Sequence, residues 1–219
     1  MSRRSPSEEE LPAGTFSAWL RDTRAALAEK RPADVPCGAC NACCRTSHYI
    51  HVRPEERRAL RRLPRAYLYP APAMPPGVFV LGYDAAGRCP LLVEERCTIY
   101  ADRPIACRTF DCRIYAAAGI AADRPDIDEQ ARRWAFTYPS PLDLEEQEAV
   151  RAAVRFIGEH PESLPSAAAH RQPLRVAVLA IAVHERFLPR RPRAWRRPDT
   201  DRRRVRAVAD AHELLFGDG

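Results

Sequence analysis

Four of the eight cysteines in this 219-residue chain crowd into residues 37–44, which read CGACNACC. Cys37, Cys40 and Cys43 recur at every third residue, and Cys44 follows Cys43 directly. A Cys-x-x-Cys loop is short enough to bring two thiolates to one metal, with backbone N–H groups turned toward the sulfurs. The extended Cys-x-x-Cys-x-x-Cys spacing is the one bacterial ferredoxins use to hold three corners of a four-iron cluster, with a remote Cys-Pro supplying a further ligand. Cys89-Pro90 is the remote Cys-Pro here, so spacing groups Cys37, Cys40 and Cys43 with Cys89. Adjacent side chains rarely aim at one tetrahedral ion. Cys44 is therefore expected to group with some of Cys97, Cys107 and Cys112, whose looser spacings form no zinc signature of their own. Eight thiols complete two four-sulfur sites, or one cluster with spare redox thiols, and spacing leaves both open.

The neighbours of the cysteines suit a metal centre. A four-thiolate site carries net negative charge, and Arg45, Arg88, Arg96, Arg103, Arg108 and Arg113 all stand within a few residues of a cysteine. Glu94, Glu95, Asp102 and Asp111 lie among them and would orient those arginines, while Leu91, Leu92, Ile99, Tyr100 and Phe110 would exclude water. The plain alternative, eight inert buried thiols, sits badly with such clustering. The N-terminal MSRRSPSEEELPAG has no apolar stretch to act as a secretory signal. A cytoplasmic protein is expected, and structural disulfides are rare there. His48 and His51 follow the octet and would face opposite sides of a strand, so at most one would reach a given metal. His160, His170, His184 and His212 have no second ligand at metal spacing and read as structural or exposed.

CGACNACC, followed by GRCPLLVEERCTIYADRPIACRTFDC over residues 87–112, resembles the bacterial CxxCxxCC (YkgJ-type) family of zinc- or iron-chelating cysteine-cluster proteins. The order of cysteines, the Gly-x-Cys-Pro step, Cys-x-Ile-Tyr, Arg-Pro and Cys-Arg-x-Phe occur together. The resemblance implies that Cys37, Cys40, Cys43, Cys44, Cys89, Cys97, Cys107 and Cys112 all belong to the metal-chelating set, with zinc or an iron–sulfur cluster as cofactor. A longer relative, flagellin lysine-N-methylase, contains a similar cluster, but residues 113–219 show nothing that matches that enzyme.

Several elements must carry these loops. Phe16, Trp19, Leu20, Thr23 and Leu27 fall at helical spacing and predict a helix over 15–30. Residues 49–52 read as a strand, followed by a helix that Pro54 and two glutamates begin. A Pro-rich stretch (64–76) leads to two apolar runs around Asp84–Gly87, which suggest a hairpin. The last two cysteines enter a predicted helix. Ser140-Pro141 is an N-cap and first-turn pair for a helix that Gly158 and Pro161 end. Helices over 172–187 and 200–215 complete the chain. The expected architecture is α+β, mostly helical, with a small β-hairpin and cysteine-rich loops around a metal site. Its parts are a disordered 1–14, a cysteine-cluster domain over 15–120 that includes the leading helix, and a helical region over 121–219.

Composition narrows the function. The chain is 46% hydrophobic and 29% charged, and its longest apolar run, residues 176–183, is too short to span a membrane. No Walker loop or Gly-x-Gly-x-x-Gly is present, so nucleotide chemistry has no support. The net charge of +6 is nearly all arginine, Lys30 being the one lysine. Residues 185–206 hold ten arginines and Trp195, which would suit phosphate contacts and stacking, but prolines interrupt them and a solvated arginine-rich surface explains them as well. The sequence reading is a metal-binding protein in an accessory, redox or maturation role. Its rivals are a cluster-dependent protein-modifying enzyme and a zinc-stabilised nucleic-acid binder.

Overall fold

The computed structural model describes residues 10–29, 35, 37, 39–47, 50–72, 74–189 and 200–216. The first half of the chain runs β1 (Leu11–Thr15), α1 (Phe16–Glu29), β2 (Ile50–Val52), α2 (Arg57–Arg62), β3 (Leu68–Pro70), β4 (Phe79–Leu81), β5 (Leu92–Val93), β6 (Arg96–Cys97) and α3 (Ile105–Thr109). The second half runs α4 (Arg113–Ala118), α5 (Pro125–Arg132), β7 (Trp134–Thr137), α6 (Pro141–Glu159), α7 (Ala167–His170), α8 (Pro173–Val183) and α9 (Asp201–Phe216). This is the mostly helical α+β class that the sequence predicts. No helix among the described residues is long and apolar enough to cross a membrane. The chain divides into two units, one of residues 1–27 with 112–218 and one of residues 28–111.

The first unit is a helical body built around α8. Ala177, Val178, Leu179, Ala180, Ile181 and Val183 are all buried, because an apolar helix with no polar stripe must be covered on every side. It packs against α4, α6 and α9. α6 is amphipathic and buries Ala149, Val150, Ala153, Phe156 and Ile157. Its start is closed by Asp143, whose carboxylate accepts the Ser140 N–H at 2.9 Å, the Ser140 hydroxyl at 2.7 Å and the Ser17 N–H at 2.9 Å. These satisfy donors that a helix start otherwise leaves open. α4 stops at Gly119, whose left-handed φ of 68° lets its N–H turn back to Tyr115 O.

Two features of this body bear on how the chain is divided. Residues 11–15 form β1, paired in parallel with β7 from Leu11↔Trp134 to Thr15↔Thr137. The strand persists because Ala13 is buried and its carbonyl accepts from Arg113 at 3.3 Å. Residues 1–9 lie outside the described residues. The leading helix α1, expected with the cysteines, belongs to the helical unit. Phe16 packs against Trp19, Phe136 and Tyr138, and Ser17 bonds to Asp143, so its apolar face and its first turn are both used there.

The second unit has a thin core. β2, β4 and β3 form an antiparallel sheet in that order, with Leu81 opposite both Ile50 and Leu68. Val52, Ala59, Leu63, Leu81, Leu91 and Ile99 pack together beneath it, and Cys89 and Cys97 lie against this cluster. The hairpin expected around Asp84–Gly87 is absent: β4 pairs with β2 and β3, while β5 pairs with β6. The Asp84 carboxylate instead accepts the N–H groups of Ala86 and Arg88, both at 2.9 Å, and this tight loop separates strands that pair elsewhere.

Candidate metal centre

Backbone hydrogen bonds decide where the octet points. A single 3-10 turn, Ala42–Arg45, carries Cys43 and Cys44. Cys40 N–H donates to Cys37 O at 2.9 Å and Cys44 N–H to Asn41 O at 2.8 Å, so the segment advances in three-residue turns. Cys43 is left exposed and Cys44 half-buried. The end of the turn is then zipped to the Cys89 loop, since Cys89 N–H donates to Cys44 O at 2.7 Å and Ser47 N–H to Gly87 O at 2.8 Å. Gly87 has φ +75°, and a Cβ there would stand 2.4 Å from Ser47 Oγ. Only glycine fits that approach without displacing the serine.

Cys44 and Cys89 face each other through a thiol–thiol hydrogen bond. The Cys44 S–H donates, which raises its own pKa far above the ordinary thiol range, with burial and the Cys89, Cys97 and Cys43 sulfurs acting in the same direction. Accepting that bond, with the N–H groups of Leu91 and Leu92 aimed at its sulfur, lowers Cys89 to about 7 against the pull of burial. Burial raises Cys97, whose sulfur also accepts from the Ile99 N–H and senses Cys89. Burial pushes Cys107 up to about 12, with Cys89 and Cys97 adding to the rise. Cys44, Cys89, Cys97 and Cys107 thus form one electrostatic group centred on Cys89. N–H groups two and three residues past a cysteine and directed at its sulfur are the arrangement that stabilises metal-bound thiolates.

Charged side chains brace the group. Asn41 donates to Glu95 O at 3.1 Å and to its carboxylate at 2.8 Å, Arg45 donates to Asn41 Oδ1 at 2.8 Å, and Arg45 also pairs with Glu95. The cysteine turn is thereby tied to the β5–β6 hairpin that delivers Cys97. Arg103 lies over the Tyr100 ring at 3.9 Å, donates to Tyr100 O at 2.7 Å, and its charge lowers both Cys97 and Cys107. Arg108, next to Cys107, has a buried Nε–H with no hydrogen-bond partner among the described residues. A donor of that kind suits an anionic thiolate centre. Glu56, read from the sequence only as one of two glutamates at a helix start, accepts the Arg53 N–H at 2.9 Å and the Ile105 N–H at 2.6 Å, fixing the start of the Cys107 helix. Its role depends on a partner 49 residues away, which no local pattern announces.

The residues expected from sequence are therefore distributed unevenly. Spacing joined Cys89 to Cys37, Cys40 and Cys43, whereas its sulfur contact is with Cys44, because the backbone zipper brings that end of the octet to it. Cys112 opens the helical unit, is 7% exposed, and accepts the indole N–H of Trp134 at 3.1 Å. His51 is exposed on β2 and His48 lies outside the described residues. His160, His170, His184 and His212 all sit in the helical unit, bonded to Glu162, Pro161 O, Ile181 O and Arg175. Of the apolar cover, Leu91 and Ile99 are buried, while Tyr100 is exposed and serves as the platform for Arg103.

The donor set fits zinc or iron, both of which four thiolates bind well. The quartet is gathered rather than closed: among the described residues no three His, Cys, Asp or Glu side chains share a metal-ligand point. Exchanging the thiol protons for a metal ion is the step by which such a set takes up its cargo. No curated protein and no solved structure matches the chain. The match comes from the stretch that contains all eight cysteines: residues 36–128 match the CxxCxxCC family model, described as a "putative zinc- or iron-chelating domain".

Proposed function

We propose that Cys44, Cys89, Cys97 and Cys107 hold one zinc or iron ion as a tetrathiolate centre, and that the protein serves as a metal-holding accessory or maturation factor. The observation that carries this reading is the thiol contact between Cys44 and Cys89, with Cys97 and Cys107 near enough to sense the Cys89 charge. A ferredoxin-type cluster would draw Cys37, Cys40 and Cys43 to Cys89, so the contact with Cys44 favours a single ion over an iron–sulfur cube. Spacing makes Cys37, Cys40 and Cys43 the candidates for a second ion. Cys112 is a stabilising thiol of the helical unit.

Anaerobic purification followed by elemental analysis, acid-labile sulfide assay and visible spectroscopy tests the proposal. The expected result is zinc or iron without inorganic sulfide. Cys44→Ser, Cys89→Ser, Cys97→Ser and Cys107→Ser should each lose the tightly bound ion, and Cys112→Ser should keep it. A brown protein rich in sulfide, or metal retained in all four quartet variants, would refute the assignment.

A further inference from the structure

The same contact that gathers the quartet also places two sulfurs in position to react with each other. Cys89 N–H donates to Cys44 O at 2.7 Å, and the neighbouring Ser47–Gly87 bond at 2.8 Å prevents the two loops from sliding. A direct backbone bond of this kind joins residues whose Cα atoms lie about 5–6 Å apart, the separation disulfides use. The side chains turn toward each other, Cys44 S–H donating to the Cys89 sulfur. The Leu91 and Leu92 N–H groups converge on that same sulfur and hold it facing Cys44. Cys43, one residue away, is exposed.

We propose that Cys44 and Cys89 are a redox pair that closes to a disulfide when the centre is without metal, so that thiol oxidation and metal retention exclude each other. The proposal rests on the quartet reading above. With a low-molecular-weight disulfide as the oxidant, the Cys89 thiolate attacks one of its sulfurs and expels one thiol. The Cys44 sulfur then attacks Cys89 of the mixed disulfide, forms the Cys44–Cys89 bond, and releases the second thiol with the Cys44 proton. The small disulfide is reduced by two electrons and the protein is oxidised by two. Metal bound to the quartet occupies both sulfurs and withholds the nucleophile.

The test treats full-length reduced, metal-free protein with oxidised glutathione, alkylates the remaining thiols, and maps cross-linked tryptic peptides by mass spectrometry. Cleavage at Lys30, Arg45, Arg88 and Arg96 yields peptide 31–45, holding Cys37, Cys40, Cys43 and Cys44, and peptide 89–96, holding only Cys89. The expected product joins the two peptides. It should persist in Cys43→Ser and vanish in both Cys44→Ser and Cys89→Ser. Zinc-loaded protein should form it more slowly, by about tenfold or more. A cross-link confined to peptide 31–45, or one that survives Cys44→Ser, overturns the pair. Equal rates with and without zinc, in protein shown to hold one zinc per chain, overturn the protection. Failure to bind zinc or iron at all refutes the quartet reading, and the peptide map still decides the pair.

Discussion

In the helical unit, Val150, Ala153, Ile157, Ala177, Leu179, Ala180 and Ile181 are all 0% exposed, drawn from two helices that cover each other. In the cysteine unit, the principal cluster is Val52, Ala59, Leu63, Leu81, Leu91 and Ile99, drawn from two three-residue strands, one short helix and loops. The first unit has enough apolar surface to hold its shape by burial. The second supplements a small core with polar clamps: Asn41, Arg45 and Glu95 across the hairpin, Glu56 across to Ile105, and Asp84 within its own loop. Surface ion pairs and loop hydrogen bonds contribute little individually, so a unit built this way depends on whatever binds its thiols. With the proposed quartet, that contrast predicts that metal acts on stability in residues 28–111 rather than in the helical body.

Metal removal is the largest perturbation of this comparison. Chelation under reducing conditions should reduce amide-exchange protection across β2, β4 and the β5–β6 hairpin by at least about tenfold, while α6 and α8 keep theirs. Equal loss in both units, or no loss in either, would break the contrast.

Gly87→Ala should come next. Its Cβ would meet Ser47 Oγ at 2.4 Å and φ +75° is strained for alanine, at a cost of about 1–3 kcal/mol. Because Gly87 closes the zipper between Cys44 and Cys89, a competition titration with a chromogenic chelator should show weaker zinc or iron binding. The thermal transition of the helical unit should be unchanged.

Asp143 sharpens the comparison from the other side. Hydrogen bonds from Ser140 and then Ser17 hold its carboxyl at about 2, below the ordinary 3.8. A depressed folded pKa means the group stabilises the fold above its unfolded pKa. That contribution is lost as pH falls from about 4 toward 2. Asp143→Ala should cost the helical unit about 1–2 kcal/mol near neutral pH in urea unfolding, and the difference from wild type should shrink below pH 4. Metal content should not change.

The smallest effect is expected at the β5–β6 turn. Glu94 and Glu95 sit at φ 46° and 61°, a region that asparagine and glycine occupy at lower cost. Glu95 is retained by its bonds to Asn41 and Arg45, whereas Glu94 is exposed. Glu94→Asn should stabilise the metal-loaded cysteine unit by a few tenths to about 1 kcal/mol, read as a small rise in its thermal transition, with metal stoichiometry intact.

The sequence by itself determined the long helices and the chemistry. Apolar spacing marked α1, Ser140-Pro141 marked the start of α6, and the run at 176–183 marked α8, because helical periodicity and caps are local. The thiol-rich donor set was legible for a similar reason: residue type alone defines what a sulfur binds. The short strands were less so. β3 lies in a Pro-rich stretch, and β4 pairs with β2 and β3 across the chain, where the apolar runs suggested a local hairpin. Only the tertiary structure decided that Cys89 meets Cys44 and not Cys43, since that choice rests on a backbone bond between residues 45 positions apart and on a glycine that admits Ser47. It likewise placed α1 and Cys112 in the helical unit, through Ser17 with Asp143 and Trp134 with Cys112. Spacing limits which sulfurs can share a loop; the direction each one points is set by hydrogen bonds to distant backbone, and those exist only once the chain has folded.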